Sequence, residues 1–173
     1  MNKLKFCFYS LDGIGHITAC VGIMQPIIAR GHDVFFIATE EHAEKFKKFG
    51  AREYILTSNL TPEEKETKLS AAKNVGKYVL ESGLLSSKSS YEKALVLDQN
   101  EFLEWIEKTL RDHELRIAQI IDEEKPDLIL YDHFYVSPCI IKSNIPWVSI
   151  HSMSSLFILK DPRLPPPFSG MFK

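Results

Sequence analysis

The chain has 173 residues, 45% of them hydrophobic and 25% charged, with 21 Lys and Arg against 23 Asp and Glu for a formal net charge of −2. This is globular composition with enough apolar material for one core, and the balanced charge, without a basic run or a basic and aromatic patch, argues against a nucleic-acid partner. Cys7, Cys20 and Cys139 are scattered, with neither the pairing of a disulfide framework nor the spacing of a zinc site, and no apolar run reaches membrane-spanning length. A cytoplasmic protein with no signal peptide, no membrane partner and no metal is therefore expected.

Residues 4–9 form a short apolar, aromatic-rich run that suits a strand covered on both faces. Ser10-Leu11-Asp12-Gly13-Ile14-Gly15-His16 then reads as a glycine-bearing turn, in which Gly15 lets the backbone approach a ligand closely. Ile17, Val21, Met24, Ile27 and Ile28 recur at helical spacing up to Arg30 and a terminal Gly31. His16 is thus expected at a helix N-terminus just past the carboxyl end of a strand. Exposed N–H groups and the helix dipole disfavour a cation there, which suits the neutral ring of a general base. Position alone also fits a polar loop residue with no chemical role.

Residues 32–38 read as a second strand, followed by a helix over 40–49 capped by Thr39 and stopped at Gly50, then a third strand over 53–56. Strand, helix, strand, helix, strand describes a parallel sheet with right-handed crossovers. Thr61-Pro62-Glu63-Glu64 carries the signals of a helix start, and that helix is expected to decay near Gly76 or Gly83. The serine-rich break over 84–90 is a loop of the kind that overhangs a ligand crevice.

Asp98 and Glu101 form a capping box ahead of a long amphipathic helix, whose apolar face is Phe102, Trp105, Ile106, Leu110, Ile117, Ile120 and Ile121. His113 lies near that face and reads as a packed helix residue; Glu104, Glu107, Lys108, Arg111, Asp112 and Glu114 read as a solvated face. Pro126 ends the helix, residues 128–131 form a fourth strand, and Asp132 follows at once. Ser137-Pro138 opens a short helix ending near Asn144, and 146–150 is a fifth strand. Beyond it lie Ser152, Ser154 and Ser155, any of which could cap a short helix, and an extended proline-rich segment over 161–167.

In a doubly wound sheet of order 3-2-1-4-5, strands one and four are neighbours whose connections leave in opposite directions, so a crevice opens at their carboxyl ends. His16 follows strand one and Asp132 follows strand four. A carboxylate bonded to one imidazole nitrogen fixes the tautomer, raises the basicity of the other nitrogen and stabilises the imidazolium. No Gly-x-Ser-x-Gly elbow is present, so the pair suits activation of a substrate hydroxyl or amine. An acid after a parallel strand also serves as a cap for the next turn. Two further readings stay open. Gly13-x-Gly15, with Thr18 in place of a third glycine and Glu40 as ribose acid, partly matches the fingerprint of an NAD(P)-dependent oxidoreductase; the same fold could also be a non-catalytic small-molecule binding module.

Gly15-His16, then Arg30-Gly31-His32-Asp33-Val34 and Gly50, together with 126–132 and Ile145-Pro146-Trp147-Val148, resemble in order and spacing the UDP-dependent glycosyltransferases that act on small lipophilic molecules. The resemblance covers residues 4–156. It implies the acceptor-binding N-terminal half of a two-domain GT-B fold occupying residues 1–173. The nucleotide-sugar half and the last strands of the acceptor half would be supplied from beyond Lys173 or by a second chain. It implies inverting transfer from a UDP-sugar co-substrate, without metal or covalent cofactor, with His16 as general base and Asp132 as the carboxylate that orients it. Clearance of foreign compounds is the role such a family suggests. Leu11, Gly13, Ile14, Gly15, Phe134 and Phe157 would line the acceptor site, although ordinary packing accounts for each apolar one singly. Where many members of the family carry a proline shortly after the histidine, this chain has Ile17-Thr18-Ala19-Cys20.

Overall fold

Five strands, all parallel, lie side by side in a sheet of order β3-β2-β1-β4-β5. They are β1 (Lys5–Ser10), β2 (Asp33–Thr39), β3 (Arg52–Leu56), β4 (Leu128–Asp132) and β5 (Trp147–Ser149), connected in part by helices α1 (Ile14–Ala29), α2 (Phe102–Glu124) and α3 (Pro138–Lys142). The computed structural model describes residues 2–57 and 102–152, with 81, 83, 85–89, 91–93, 95 and 163; the side chains of 102–105 are outside the description. The chain divides into two units, 1–58 with 106–153 and 59–105 with 154–173, and the sheet belongs to the first.

The period-2 alternation of a strand sends neighbouring side chains to opposite faces, and here it builds two cores. Cys7, Tyr9, Phe35, Ile37, Ile129 and Tyr131 pack with Leu110, Ile117, Ile120 and Ile121 of α2 and Ile140 of α3. Phe8, Val34, Phe36, Ala38 and Leu130 pack with Ile17, Cys20 and Met24 of α1 and with Phe46. Burial on both faces explains why the strands read as apolar runs rather than as alternating patterns, and helices on both faces make the sheet doubly wound.

Gly31 and Gly50 end their elements at φ 85° and 89°, a conformation in which any side chain would be strained. The helix expected over 40–49 is not formed. Two 3₁₀ turns, Glu40–His42 and Lys47–Phe49, stand there instead, with Glu44 between them at φ 66°. The competing partner is Glu53 of β3, whose carboxylate accepts the backbone N–H groups of Glu44, Phe46 and Lys47 at 2.7, 2.6 and 3.1 Å. Those donors are satisfied without a helical ladder, and the bend buries Phe46 completely. Thr39 is not the expected side-chain cap either; its hydroxyl donates to Asp12 Oδ2 at 2.9 Å.

Ser137 precedes α3 as expected, but it makes no side-chain cap: its hydroxyl donates to Glu114 instead of accepting an N–H of the helix. Glu114 also accepts the Cys139 N–H at 2.6 Å, so the cap of α3 comes from α2, and Glu114 is no member of a purely solvated face. His113 is buried within α2, in keeping with a packed residue. The helix expected from Thr61, the Asp98 and Glu101 capping box, the contacts of Phe102 and Trp105, a cap from Ser154 or Ser155, and the proline-rich segment apart from Arg163 lie outside the described residues. In the second unit, Ser86 donates to the Gly83 carbonyl and Ser89 to Glu92 Oε2, both at 2.6 Å, so these two hydroxyls of the serine-rich break are engaged locally. No helix among the described residues is long and apolar enough to cross a membrane.

At the amino edge of the sheet, Arg52 forms a bidentate pair with Glu124 at 2.6 and 2.8 Å and reaches Asp33 at 2.9 Å, while Lys5 meets Glu124 at 3.1 Å and the Tyr54 hydroxyl donates to it. The guanidinium, chiefly, holds the Glu124 carboxyl down at about 2, against 4.5 for the free group. A carboxylate depressed by folding adds stability above its unfolded pKa and loses it as pH falls through its folded one, so this contribution should fade between pH 4.5 and 2. Glu124→Gln is expected to lower stability at neutral pH by about 1–2 kcal/mol after allowance for solvent screening, and to flatten the acid limb of a urea-midpoint profile. An unchanged acid limb would show that the network adds nothing.

Candidate functional site

Because the strands are parallel, whatever follows β1, β4 and β5 emerges on one edge. Ser10, the last residue of β1, is in register with Asp132, the last of β4. The chain then bends across that junction, with the Leu11 N–H donating to the Asp132 carbonyl at 2.7 Å. From the other side, Asp12 is held by His42 Nε2 and by the Thr39 hydroxyl, which ties the β1–α1 turn to the end of β2. The helix begins at Ile14, earlier than expected, so Gly15 lies in its first turn rather than ahead of it.

His16 therefore projects from the first turn of α1 beside the end of β4. Its Nδ1 lies 3.0 Å from Asp132 Oδ1, the two residues being 116 apart in sequence. The side chains are 16% and 4% exposed, so the pair is shielded but open on the imidazole side. Asp132 Oδ2 is buried and makes no hydrogen bond among the described residues, which leaves the imidazole as the partner that offsets the carboxylate's desolvation. The Ser152 hydroxyl, on the segment that follows β5, sits 2.8 Å from the same His16 Nδ1.

The expected acceptor-lining residues differ in setting. Phe134 is 42% exposed and meets the His16 ring edge-on at 6.1 Å between centroids. Ile14 is 73% exposed, and Leu11 is buried. A Cβ on Gly13 would come 3.2 Å from His16 Cδ2, so a side chain there would crowd the ring, whereas a Cβ on Gly15 would meet open space. Phe157 lies outside the described residues. A groove of about 770 Å³, lined by residues of α2, α3 and their flanks such as Ile121, Cys139 and Ile145, includes none of these residues.

His133, between Asp132 and Phe134, stacks on Tyr9 and Tyr131 with centroids 6.0 and 5.7 Å away, and its Nδ1 accepts the Tyr135 N–H at 3.3 Å. Burial, reinforced by the neighbouring His16, pushes it down to about 4. A histidine kept neutral by folding is protonated in the unfolded chain first, so stability is complete above pH 6.5 and is lost as pH falls towards 4. The loss should reach about 2–3 kcal/mol. In His133→Asn, urea midpoints at pH 7 and pH 5 should draw together; the wild-type difference persisting in the variant would assign it elsewhere.

No family model matches the sequence, and no curated protein matches it. Solved structures do match. The glycotransferase of kitacinnamycin superposes with a TM-score of 0.56 at 16% identity, over 88% of this chain and 31% of that one. UGT89C1 of Arabidopsis thaliana, solved in complex with quercetin, superposes with a TM-score of 0.53 at 15% identity, over 86% of this chain and 34% of that one. The fold, a five-stranded parallel sheet with helices, matches the Rossmann-like N-terminal half of GT-B glycosyltransferases. The chain spans about a third of the length of the structures it matches.

This glycosyltransferase-like sheet brings His16, Asp132 and Phe134 together. Sequence reasoning missed Ser152, His133 and the Asp12–His42 tie. Ser152 stood among several serines after the last strand; its useful signal was that β5 neighbours β4, so the segment leaving it must pass the same edge.

Proposed function

We propose that this chain is the acceptor-binding part of an inverting glycosyltransferase that uses a UDP-sugar to glycosylate hydroxyl groups of small lipophilic molecules, with His16 as general base and Asp132 as its orienting acid. The observation that carries this reading is the 3.0 Å contact of His16 Nδ1 with Asp132 Oδ1 at the carboxyl edge of a sheet whose fold is that of glycosyltransferases. An ionised carboxylate only accepts, so the hydrogen resides on Nδ1 and the Nε2 lone pair is left to take a proton.

In this mechanism the acceptor O–H proton passes to His16 Nε2 as the oxygen attacks the anomeric carbon from the face opposite the diphosphate. The bond from that carbon to the phosphate oxygen breaks, its electron pair leaves with UDP, and the configuration inverts. Asp132 balances the imidazolium formed. Exposed Phe134 beside the base, with Ile14, would provide apolar contact for the acceptor, and quercetin in a structural neighbour supports a phenolic one. The donor would bind chiefly to a half outside these residues.

The test is a titration of the chain with a flavonol, followed by protein fluorescence, and then incubation with UDP-glucose and a nucleotide-sugar-binding half. Saturable binding and a glycosylated product support the reading. Binding of NADH in place of the flavonol, or no product with the donor half present, overturns it.

A further inference from the structure

Two oxygens compete for one nitrogen of His16. Asp132 Oδ1 stands 3.0 Å and Ser152 Oγ 2.8 Å from Nδ1, and they arrive from different strand ends, β4 and the segment after β5. A hydroxyl either donates or accepts, so two arrangements have to be weighed. If Ser152 donated its proton to Nδ1, that nitrogen's lone pair would face both the hydroxyl and the ionised Asp132 oxygen. Two electron-rich atoms would then oppose one another at 3.0 Å, beside a carboxylate that is 4% exposed and whose other oxygen has no hydrogen-bond partner among the described residues. If the hydrogen sits on Nδ1, both oxygens accept it in a three-centre bond and no repulsion arises. The second arrangement is favoured by the charge of Asp132 and the shielding of the pair.

We propose that Ser152 is a positioning residue for His16: with Asp132 it clamps Nδ1–H from a second direction, fixing the plane of the ring and holding the Nε2 lone pair toward the open side. The proposal deepens the reading above and rests on it for the role of the base. A carboxylate alone leaves the ring free to pivot about a single bond; a second acceptor from another strand end removes that freedom. Phe134, against the ring edge at 6.1 Å, is too far to substitute for such a bond. Ser152 is exposed and outside the core, so its replacement is not expected to unfold the chain.

The experiment is nitrogen NMR of the His16 side chain in the ¹⁵N-labelled chain at a pH where the ring is neutral, for wild type, Ser152→Ala and Ser152→Thr. Wild type should carry its hydrogen on Nδ1. Ser152→Ala should raise the Nε2–H tautomer about threefold or more, and Ser152→Thr, which keeps the hydroxyl, should restore the wild-type shifts. With a donor half and acceptor supplied, kcat in Ser152→Ala should fall about 3–10-fold with KM nearly unchanged. Hydrogen on Nε2 in wild type, or alanine shifts identical to wild type, overturns the proposal. Absence of transfer by wild type with the NMR behaviour as described overturns the transferase reading and leaves the role of Ser152 in orienting the ring standing.

Discussion

His16→Ala should lower glycosyl transfer about 10²–10⁴-fold, measured with a nucleotide-sugar-binding half present, while the dissociation constant of the acceptor changes by no more than a few-fold. The size follows from what is removed. In the proposed reaction the acceptor hydroxyl, without Nε2, would lose its proton to water in the transition state, while Phe134 and Ile14 would remain to hold the acceptor. Asp132→Asn should sit between the variant and wild type. The amide oxygen still accepts from Nδ1–H at the position of Oδ1, so the ring is held, but the negative charge that stabilises the imidazolium is gone. A combined variant should be little worse than His16→Ala alone, because the acid acts through the base. Turnover unchanged in His16→Ala would remove the pair from the mechanism, and a double variant far slower than either single one would give Asp132 a separate task.

The largest effect on stability is expected at Phe36. Its ring is 1% exposed and lies between Phe46, stacked at 3.9 Å and 7°, and Phe8 at 6.2 Å and 13°. Phe36→Ala removes the transfer free energy of a whole ring and leaves a cavity that the flanking rings cannot fill without giving up their own contacts. A loss of about 3–5 kcal/mol is expected by urea denaturation, which is a large part of what a domain of this size possesses. The bend over 40–49 should loosen with it, since Phe46 anchors that segment to the sheet. A loss under about 1 kcal/mol would mean that the α1 side of the sheet repacks freely, against the close packing described for protein interiors.

The sheet was legible in the sequence because its strands are buried on both faces and read as apolar runs separated by glycine and proline stops. Gly31 and Gly50 sit where positive φ is needed, and Pro126 falls after the long helix. The convergence of His16 and Asp132 followed from strand order alone. Where the reading failed, a distant side chain had replaced a local partner. Glu53 takes the backbone donors of 40–49, Glu114 caps α3 in place of Ser137, and Thr39 turns to Asp12. Local propensity carries no record of such bonds, since the acceptor lies on another element. Ser152 escaped for a related reason, as its partner is 136 residues away.

The clasp of Arg52, Asp33, Glu124 and Lys5 gathers the starts of β1, β2 and β3 at the end of the sheet opposite the imidazole. Parallel pairing thus gives the sheet two poles, one held by this ion-pair clasp and one that carries the His16–Asp132 pair. Substitutions at the exposed Phe134 and Ile14 beside the imidazole leave that clasp, at the opposite end of the strands, untouched.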